Sequence, residues 1–316
     1  DTLSLHDALP IYIADALQRG AVAVFWQPGG DFDFGQNFGA TVALPVDALR
    51  PLAGPLAHMV YGHPSESLSL IAITGTNGKT TITFLLKQML EFTGEKIGLI
   101  GTTGNYIGQD YFPTNYTTPE APELVGLLAK MRDSGITTVV MEVSSHALTM
   151  ARVLGIHFSA AIFTNLTHDH LDYHGTMENY ADAKKILFQS LSPASLAVFN
   201  SDSPYAEYIA AATEAHTVTV GRTSIAHYRI SNEIISAGGS SFVLNEHTFS
   251  TPLVGRFNID NCAACVVCLL RLGYKIQQVQ EAAHFAHGAP GRMESYCLPN
   301  GATAIIDYAQ IGRAHV

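Results

Sequence analysis

The sequence predicts an α/β protein built on a mostly parallel sheet with helices on both faces. Three observations carry that expectation. Apolar strand-type runs alternate with helix-type segments from residue 69 to about 215. The first of these strands, "SLIAITG" (69–75), runs through a glycine turn into a helix, the order a phosphate-binding loop needs. The strands are apolar throughout rather than alternating, as in a sheet covered on both sides.

In chain order, "YIADALQRG" reads as a helix, and "GAVAVFW" and "ATVALPV" as strands of a small α/β unit over 12–62. "YGHPSESLS" (61–69) is polar and carries a proline, so it reads as a linker. The central region, 63–288, follows. Its helices are "KTTITFLLKQMLEFTG", "APELVGLLAKMRDSG", "TMENYADAKKILFQSL" and "YAEYIAAATEA". Its strands are "SLIAITG", "KIGLIGTTG", "TTVVMEVSS", "FSAAIFTNL" and "SLAVFNSDS". Residues 217–254 switch to hairpin-like strands around "SAGGSS". A helical pair, "FNIDNCAACVVCLLRLG" and "IQQVQEAAHFAHG", comes next. A further boundary is expected at "GAPGRMES", so that 289–310 begins another domain. The ends, 1–11 ("DTLSLHDALPI") and 311–316 ("IGRAHV"), read as translated adapter sequence and are expected to be non-native.

Composition narrows the function. The formal net charge is −10 with no basic run, which argues against nucleic acid as a partner. No run of about 20 apolar residues exists to span a membrane. Four cysteines in 316 residues do not make a disulfide framework, and the expected compartment is the cytoplasm. Cys262, Cys265 and Cys268 have iron–sulfur-like spacing, but they sit in an apolar helical stretch with no Cys-Pro after it. Small core residues are the better reading.

The chemistry concentrates in three clusters. In "IAITGTNGKTT" (71–81) the glycine falls at 75, whereas a generic phosphate loop would have it at 73. Lys79 would reach outer phosphates and Thr80 would offer a hydroxyl to Mg²⁺. The bland alternative is a glycine turn that caps a helix. In "MEVSSHAL", Glu142 ends a strand on the edge where open α/β sheets bind ligands. A lone glutamate there is by default a solvated carboxylate. "TNLTHDHLDYHG" (164–175) holds three histidines and two aspartates, without zinc-site spacing or a nearby cysteine. It reads equally as a metal or phosphoryl site and as an exposed polar loop.

Together and in this order, these clusters resemble the Mur ligases, the ATP-dependent amide-bond ligases of bacterial peptidoglycan. Their shortened loop, G-T-[NK]-G-K-[TS]-[TS], has its glycine where Gly75 stands. "YTTPE", "MEVSSHAL", "FTNLTHDHLDYHGTMENYADAKKILF", "GRFNIDN" and "PGRME" look most like the members that add the third residue to UDP-N-acetylmuramoyl-L-alanyl-D-glutamate. The resemblance spans about 12 to 310.

It implies ATP at Gly75, Thr76, Asn77, Gly78, Lys79, Thr80 and Thr81, with Asn258 and Asn261 near adenine and Arg292 at a hinge to the last domain. It implies Mg²⁺ on Thr80 and Glu142, and a second Mg²⁺ on His170 and on Lys184, the lysine that such ligases carbamoylate. Thr117, Thr118, Ser144 and Arg152 would hold the muramoyl-dipeptide. Lys79, Lys184 and His170 would serve catalysis. The implied partners are that UDP-linked dipeptide and a diamino acid, meso-diaminopimelate or L-lysine, acted on by a monomer. Read without the resemblance, Lys184 is a solvated helix lysine.

Departures are also visible. Met150 stands where a polar substrate contact is common. "IDYAQ" breaks off where the family continues "DYAHTP". The uridine-gripping start and the C-terminal domain with the amino-acid pocket are expected to lie outside the chain. The competing readings are a folylpolyglutamate synthase-like ligase, which shares the short loop, and a non-catalytic ATP-binding protein.

Overall fold

The computed structural model describes residues 11–27, 41–298 and 302–308. The expected non-native ends fall almost entirely outside these residues. At the start, α1 (Ile11–Gln18) precedes β1 (Ala23–Trp26) and β2 (Val42–Pro45), a parallel pair. Next come α2 (Arg50–Tyr61), β3 (Ser69–Thr74), α3 (Lys79–Phe92), β4 (Ile97–Gly101), β5 (Gly104–Ile107) and β6 (Asp110–Phe112). They are followed by α4 (Ala121–Asp133), β7 (Thr138–Glu142), α5 (Ser145–Thr149), β8 (Ala160–Phe163), α6 (Leu171–His174), α7 (Met177–Gln189) and β9 (Leu196–Asn200). The chain continues through α8 (Ala206–Ala210), β10 (His216–Gly221), β11 (Tyr228–Ser236), β12 (Gly239–Leu244), β13 (His247–Thr251), α9 (Arg256–Arg271) and α10 (Ile276–Phe285). A hairpin of β14 (Glu294–Cys297) and β15 (Thr303–Ile306) ends the described chain.

One sheet organises the centre, in the order β13-β12-β11-β10-β9-β8-β3-β7-β4-β5-β6. From β11 to β4 every pairing is parallel, while β5, β6, β12 and β13 add antiparallel edges. Alternate side chains of each inner strand feed opposite faces. Ile71 and Ile73 of β3, Val140 of β7, Ile162 of β8 and Val198 of β9 pack under α3, α9 and α10. Leu70 and Ala72, Val139 and Met141, Phe163 and Phe199 pack against α4 and α7. Each such large side chain contributes about 1.5–3 kcal/mol when fully buried, which is why these strands read as unbroken apolar runs. The fold class and the central elements are as expected.

Four local expectations are corrected. The 61–69 linker is packed: Pro64 and Ser65 are buried in a short 3-10 turn, and Arg132 of α4 donates to the carbonyls of Tyr61 and Gly62. Helix α2 was not expected, because Pro51 and Pro55 lie within it. Pro51 sits in the first turn, where no N–H is needed. Strand β10 is a parallel neighbour of β9 and β11, so the hairpin region starts only at β11. Finally, α8 stops after five residues. The chain turns there, so that His216 enters register with Leu196.

Candidate active site

The C-terminal ends of β3, β4, β7 and β8 lie together on one edge of the sheet. The loop at 75–78 leaves β3 there and is stitched to the segment after β8. Thr76 N–H donates to Asn165 O at 2.9 Å, Asn77 N–H to Asn165 Oδ1 at 3.0 Å, and Thr164 Oγ–H to Asn77 O at 2.6 Å. Gly75 has φ +145°, and a Cβ there would overlap Thr164 Oγ1, so no other residue fits. Gly78 at φ +89° opens α3 with Asn261 Oδ1 pressed against it. Thr80 and Thr81 follow in the first helical turn, behind Lys79. The N–H groups and positive dipole end of this turn favour an anion.

Lys79 Nζ donates to the carbonyls of Gly75 (2.9 Å) and Thr76 (3.0 Å). Lys184 Nζ, on α7, donates to the same Gly75 carbonyl at 3.0 Å. Lys184 is not a solvated helix lysine: it is 1% exposed and lies 4.5 Å from the Tyr180 ring centre. Burial drives its pKa well below the ordinary lysine range; Lys79 pushes the same way and Asp169 opposes.

Glu142 is equally buried, at 1%. Its Oε2 accepts from Thr80 Oγ–H (3.0 Å) and Thr102 Oγ–H (3.2 Å), and its Oε1 accepts from Thr102 N–H (2.9 Å). Burial raises its pKa, with Lys79 and these donors countering. Thr80 and Glu142 thus put hard oxygen donors side by side, which suits Mg²⁺ bound through one carboxylate, a hydroxyl and substrate phosphates. Among the described residues no three His, Cys, Asp or Glu side chains gather into a cation cage.

His170 caps α6 at φ +51°, 3.4 Å from Asp169 Oδ2, with its ring near His146 (5.0 Å) and Tyr180 (6.1 Å). Tyr180 is therefore a common neighbour of His170 and Lys184. His174 donates to or accepts from Ser145 Oγ at 2.9 Å, and burial together with His146 lowers its pKa to about 4.

A second group lies beside the end of β7. Thr118 Oγ–H donates to Glu142 O (2.9 Å) and accepts from Ser144 N–H (3.2 Å), while Ser144 Oγ caps α5. Arg152 donates to Thr118 O (3.0 Å) and pairs with Glu120 (2.6 Å), over the Tyr116 ring. Its Nη2 also lies 3.5 Å from Met150 Sδ. Thr117 Oγ1 is 3.0 Å from Thr102 Oγ1. Asn258 and Asn261 bond each other in the first turns of α9, beside Gly78. The structure does not bring Arg292 to the loop: it stacks on Tyr308 in the β14–β15 region, 5.0 Å away.

The sequence reading missed Thr102, Asn165, Thr167 and Tyr180. Asn165 and Thr167 lie in a cluster that stood out for its histidines and aspartates. Thr102 is a threonine in a glycine-flanked turn, and no pattern marks it. Cys262, Cys265 and Cys268 are fully buried in α9, and burial pushes the Cys262 and Cys268 thiols up to about 12, as core residues should be.

The sequence model of the Mur ligase middle domain matches residues 73–269. The UDP-N-acetylmuramoyl-L-alanyl-D-glutamate--2,6-diaminopimelate ligase of Geobacillus thermodenitrificans (strain NG80-2) is 38% identical over 318 residues, 98% of this chain and 63% of that protein. The chain thus spans less than two thirds of the length of this relative. A solved UDP-N-acetylmuramoyl-L-alanyl-D-glutamate--2,6-diaminopimelate ligase superposes with a TM-score of 0.77 at 30% identity, covering 90% of this chain and 59% of that one. A Mycobacterium tuberculosis folylpolyglutamate synthase complexed with ADP and AMPPCP gives a TM-score of 0.65 at 18% identity, covering 82% of this chain and 67% of that one, a likeness of fold alone. The family match runs from the strand that feeds the loop through α9, and the chain belongs to the Mur ligase family.

Proposed function

We propose that this chain is the ATP-binding part of a ligase that joins 2,6-diaminopimelate to UDP-N-acetylmuramoyl-L-alanyl-D-glutamate in peptidoglycan synthesis, acting as a cytoplasmic monomer. The observation that carries the reading is the Thr80–Glu142 contact at 3.0 Å beside the Lys79 loop. It is a built place for a Mg²⁺-nucleotide phosphate. The names of the relatives support diaminopimelate over lysine. The divisions at 62/63 and 288/289 belong to the same reading. No helix among the described residues is long and apolar enough to cross a membrane.

Bound Mg²⁺ would neutralise phosphate oxygens and keep them aligned for in-line transfer. Thr80 and Glu142 are the residues that would hold it. Lys79 leaves the Gly75 and Thr76 carbonyls for the terminal phosphate. Arg152, Thr117, Thr118 and Ser144 orient the dipeptide so that its carboxylate attacks that phosphate. The resulting acyl-phosphate gives the amine a leaving group, since a bare carboxylate is a poor electrophile. The amine attacks the acyl carbon, phosphate leaves, and an amide remains with ADP.

Lys184 fits carbamoylation. Its buried amine is held toward the neutral form, whose lone pair can attack CO₂. An N–C bond forms, a proton leaves, and an ammonium that cannot ligate a cation becomes a pair of oxygen donors. His170, which shares Tyr180 as a neighbour, would be a further ligand.

The test is phosphate release from ATP by the full-length protein that contains this chain, given the UDP-linked dipeptide with meso-diaminopimelate or with L-lysine and, in a third arm, a folate with glutamate. Release with meso-diaminopimelate alone supports the proposal. Release with L-lysine alone changes the amino acid. Release only with a folate and glutamate overturns it.

A further inference from the structure

Thr102 sits between the carboxylate that faces the loop and the threonine assigned to the dipeptide. Its backbone N–H holds Glu142 Oε1 at 2.9 Å, so the carboxylate is fixed without help from the side chain. Its hydroxyl is 3.2 Å from Glu142 Oε2 and 3.0 Å from Thr117 Oγ1. A hydroxyl has one proton and two lone pairs, while an ionised carboxylate only accepts. The Thr102 proton therefore goes to Glu142, and Thr102 can only accept from Thr117. Thr117 then spends its own proton on Thr102 and is left with lone pairs, the wrong polarity for an anionic ligand. Oε2 is also the oxygen shared with Thr80, where the cation is assigned.

We propose that Thr102 is a positioning residue whose hydroxyl reverses direction when a cation occupies Thr80 and Glu142, so that the cation and the anionic dipeptide strengthen each other's binding. With a cation held by Thr80 and Glu142, Oε2 would no longer be the preferred acceptor for the Thr102 hydroxyl. The Thr102 proton turns to Thr117, and the Thr117 proton is freed to donate to a carboxylate. No covalent bond changes and no group titrates. The coupling is reciprocal, as any linkage between two binding events must be. The inference rests on the ligase reading above.

The experiment uses the full-length ligase that contains this chain, with a non-hydrolysable ATP analogue present throughout so that phosphate can complete the cation's shell. Calorimetry gives the affinity for UDP-N-acetylmuramoyl-L-alanyl-D-glutamate with and without Mg²⁺, for wild type, Thr102→Val and Thr102→Ser. Wild type should bind about fivefold or more tightly with Mg²⁺. Thr102→Ser should keep that ratio, and Thr102→Val should bring it close to one while melting at the wild-type temperature. Valine keeps the backbone N–H on Glu142, so a purely structural role would move both affinities together and leave the ratio intact. That result, or a wild-type ratio of one, overturns the relay. If wild type binds no UDP-linked dipeptide under either condition, the ligase reading fails and the relay with it.

Discussion

Lys79 and Lys184 meet on a single atom, the carbonyl oxygen of Gly75, at 2.9 and 3.0 Å. Two ammonium groups in such proximity repel, and only one of the two is buried away from water. Lys184 is therefore the one driven toward the neutral amine. The loop glycine thus ties the lysine proposed to reach the phosphate to the lysine proposed for carbamoylation.

That assignment predicts the behaviour of Lys184→Ala. Turnover should fall by about 10²-fold or more, the scale of a lost contribution to charge stabilisation. Formate or acetate, each small enough to enter the space left by the side chain, should restore part of it. Steady-state phosphate release with and without the additive is the measurement. Full activity without additive would refute the carbamate.

The same burial predicts a stability effect with a definite sign. Lysine in the unfolded chain titrates near its ordinary value, whereas folded Lys184 titrates well below it. Between the two values the unfolded chain holds the extra proton, so stability rises with pH. Lys184→Met removes this cost. In CO₂-free buffer the variant should melt higher than wild type at pH 7, and its advantage should shrink as pH rises toward about 10.4. Melting curves over that range decide it; an advantage that stays constant with pH would show that the buried amine is not its source.

Gly75 should tolerate nothing larger. Gly75→Ala combines a positive φ with overlap on Thr164 Oγ1, and each is worth about 1–3 kcal/mol. Nucleotide binding should be lost and the melting temperature lowered. Thr164→Ala in the same chain removes the nearest obstacle but leaves the φ and the Asn165 backbone beside it. The double variant should recover stability only in part. Full recovery would mean that backbone strain is negligible there.

Much of this site was legible because its residues sit where period and punctuation coincide. Gly75 to Thr80 lie at a strand-to-helix junction, and Glu142 ends a five-residue buried strand. Lys184 was legible only by resemblance, since a lysine on an amphipathic helix gives no local sign of being 1% exposed. Thr102 was invisible for a stronger reason. Its role arises from β4 and β7 lying side by side, and no local sequence pattern encodes which strands pair. Helix α2 was hidden by its own prolines, and the packed turn at 63–66 by composition typical of an exposed linker. In each case tertiary contact overrode a correct local preference.

Arg222 offers a test outside the loop. It forms a two-pronged pair with Glu233 (2.7 and 2.7 Å) and also reaches Asp202 (3.0 Å) and Asp260 (2.5 Å). These groups join the ends of β9 and β10 to β11 and to α9, next to Asn261. Arg222→Met leaves three partly buried carboxylates facing one another and should cost about 3 kcal/mol at pH 7. The bond from Arg222 holds the Glu233 pKa below its ordinary value, so that contribution exists above the unfolded value and disappears as pH falls through the folded one. Burial raises Asp260 instead, which makes its own contribution run the opposite way. Removing the arginine also lets the three carboxylates relieve their repulsion by protonation as pH falls. The gap between wild type and variant should therefore be widest near neutrality and should narrow below about pH 4.5. Denaturant midpoints at pH 7 and pH 4 measure it, and an equal gap at both values would show that the arginine acts by packing rather than by charge.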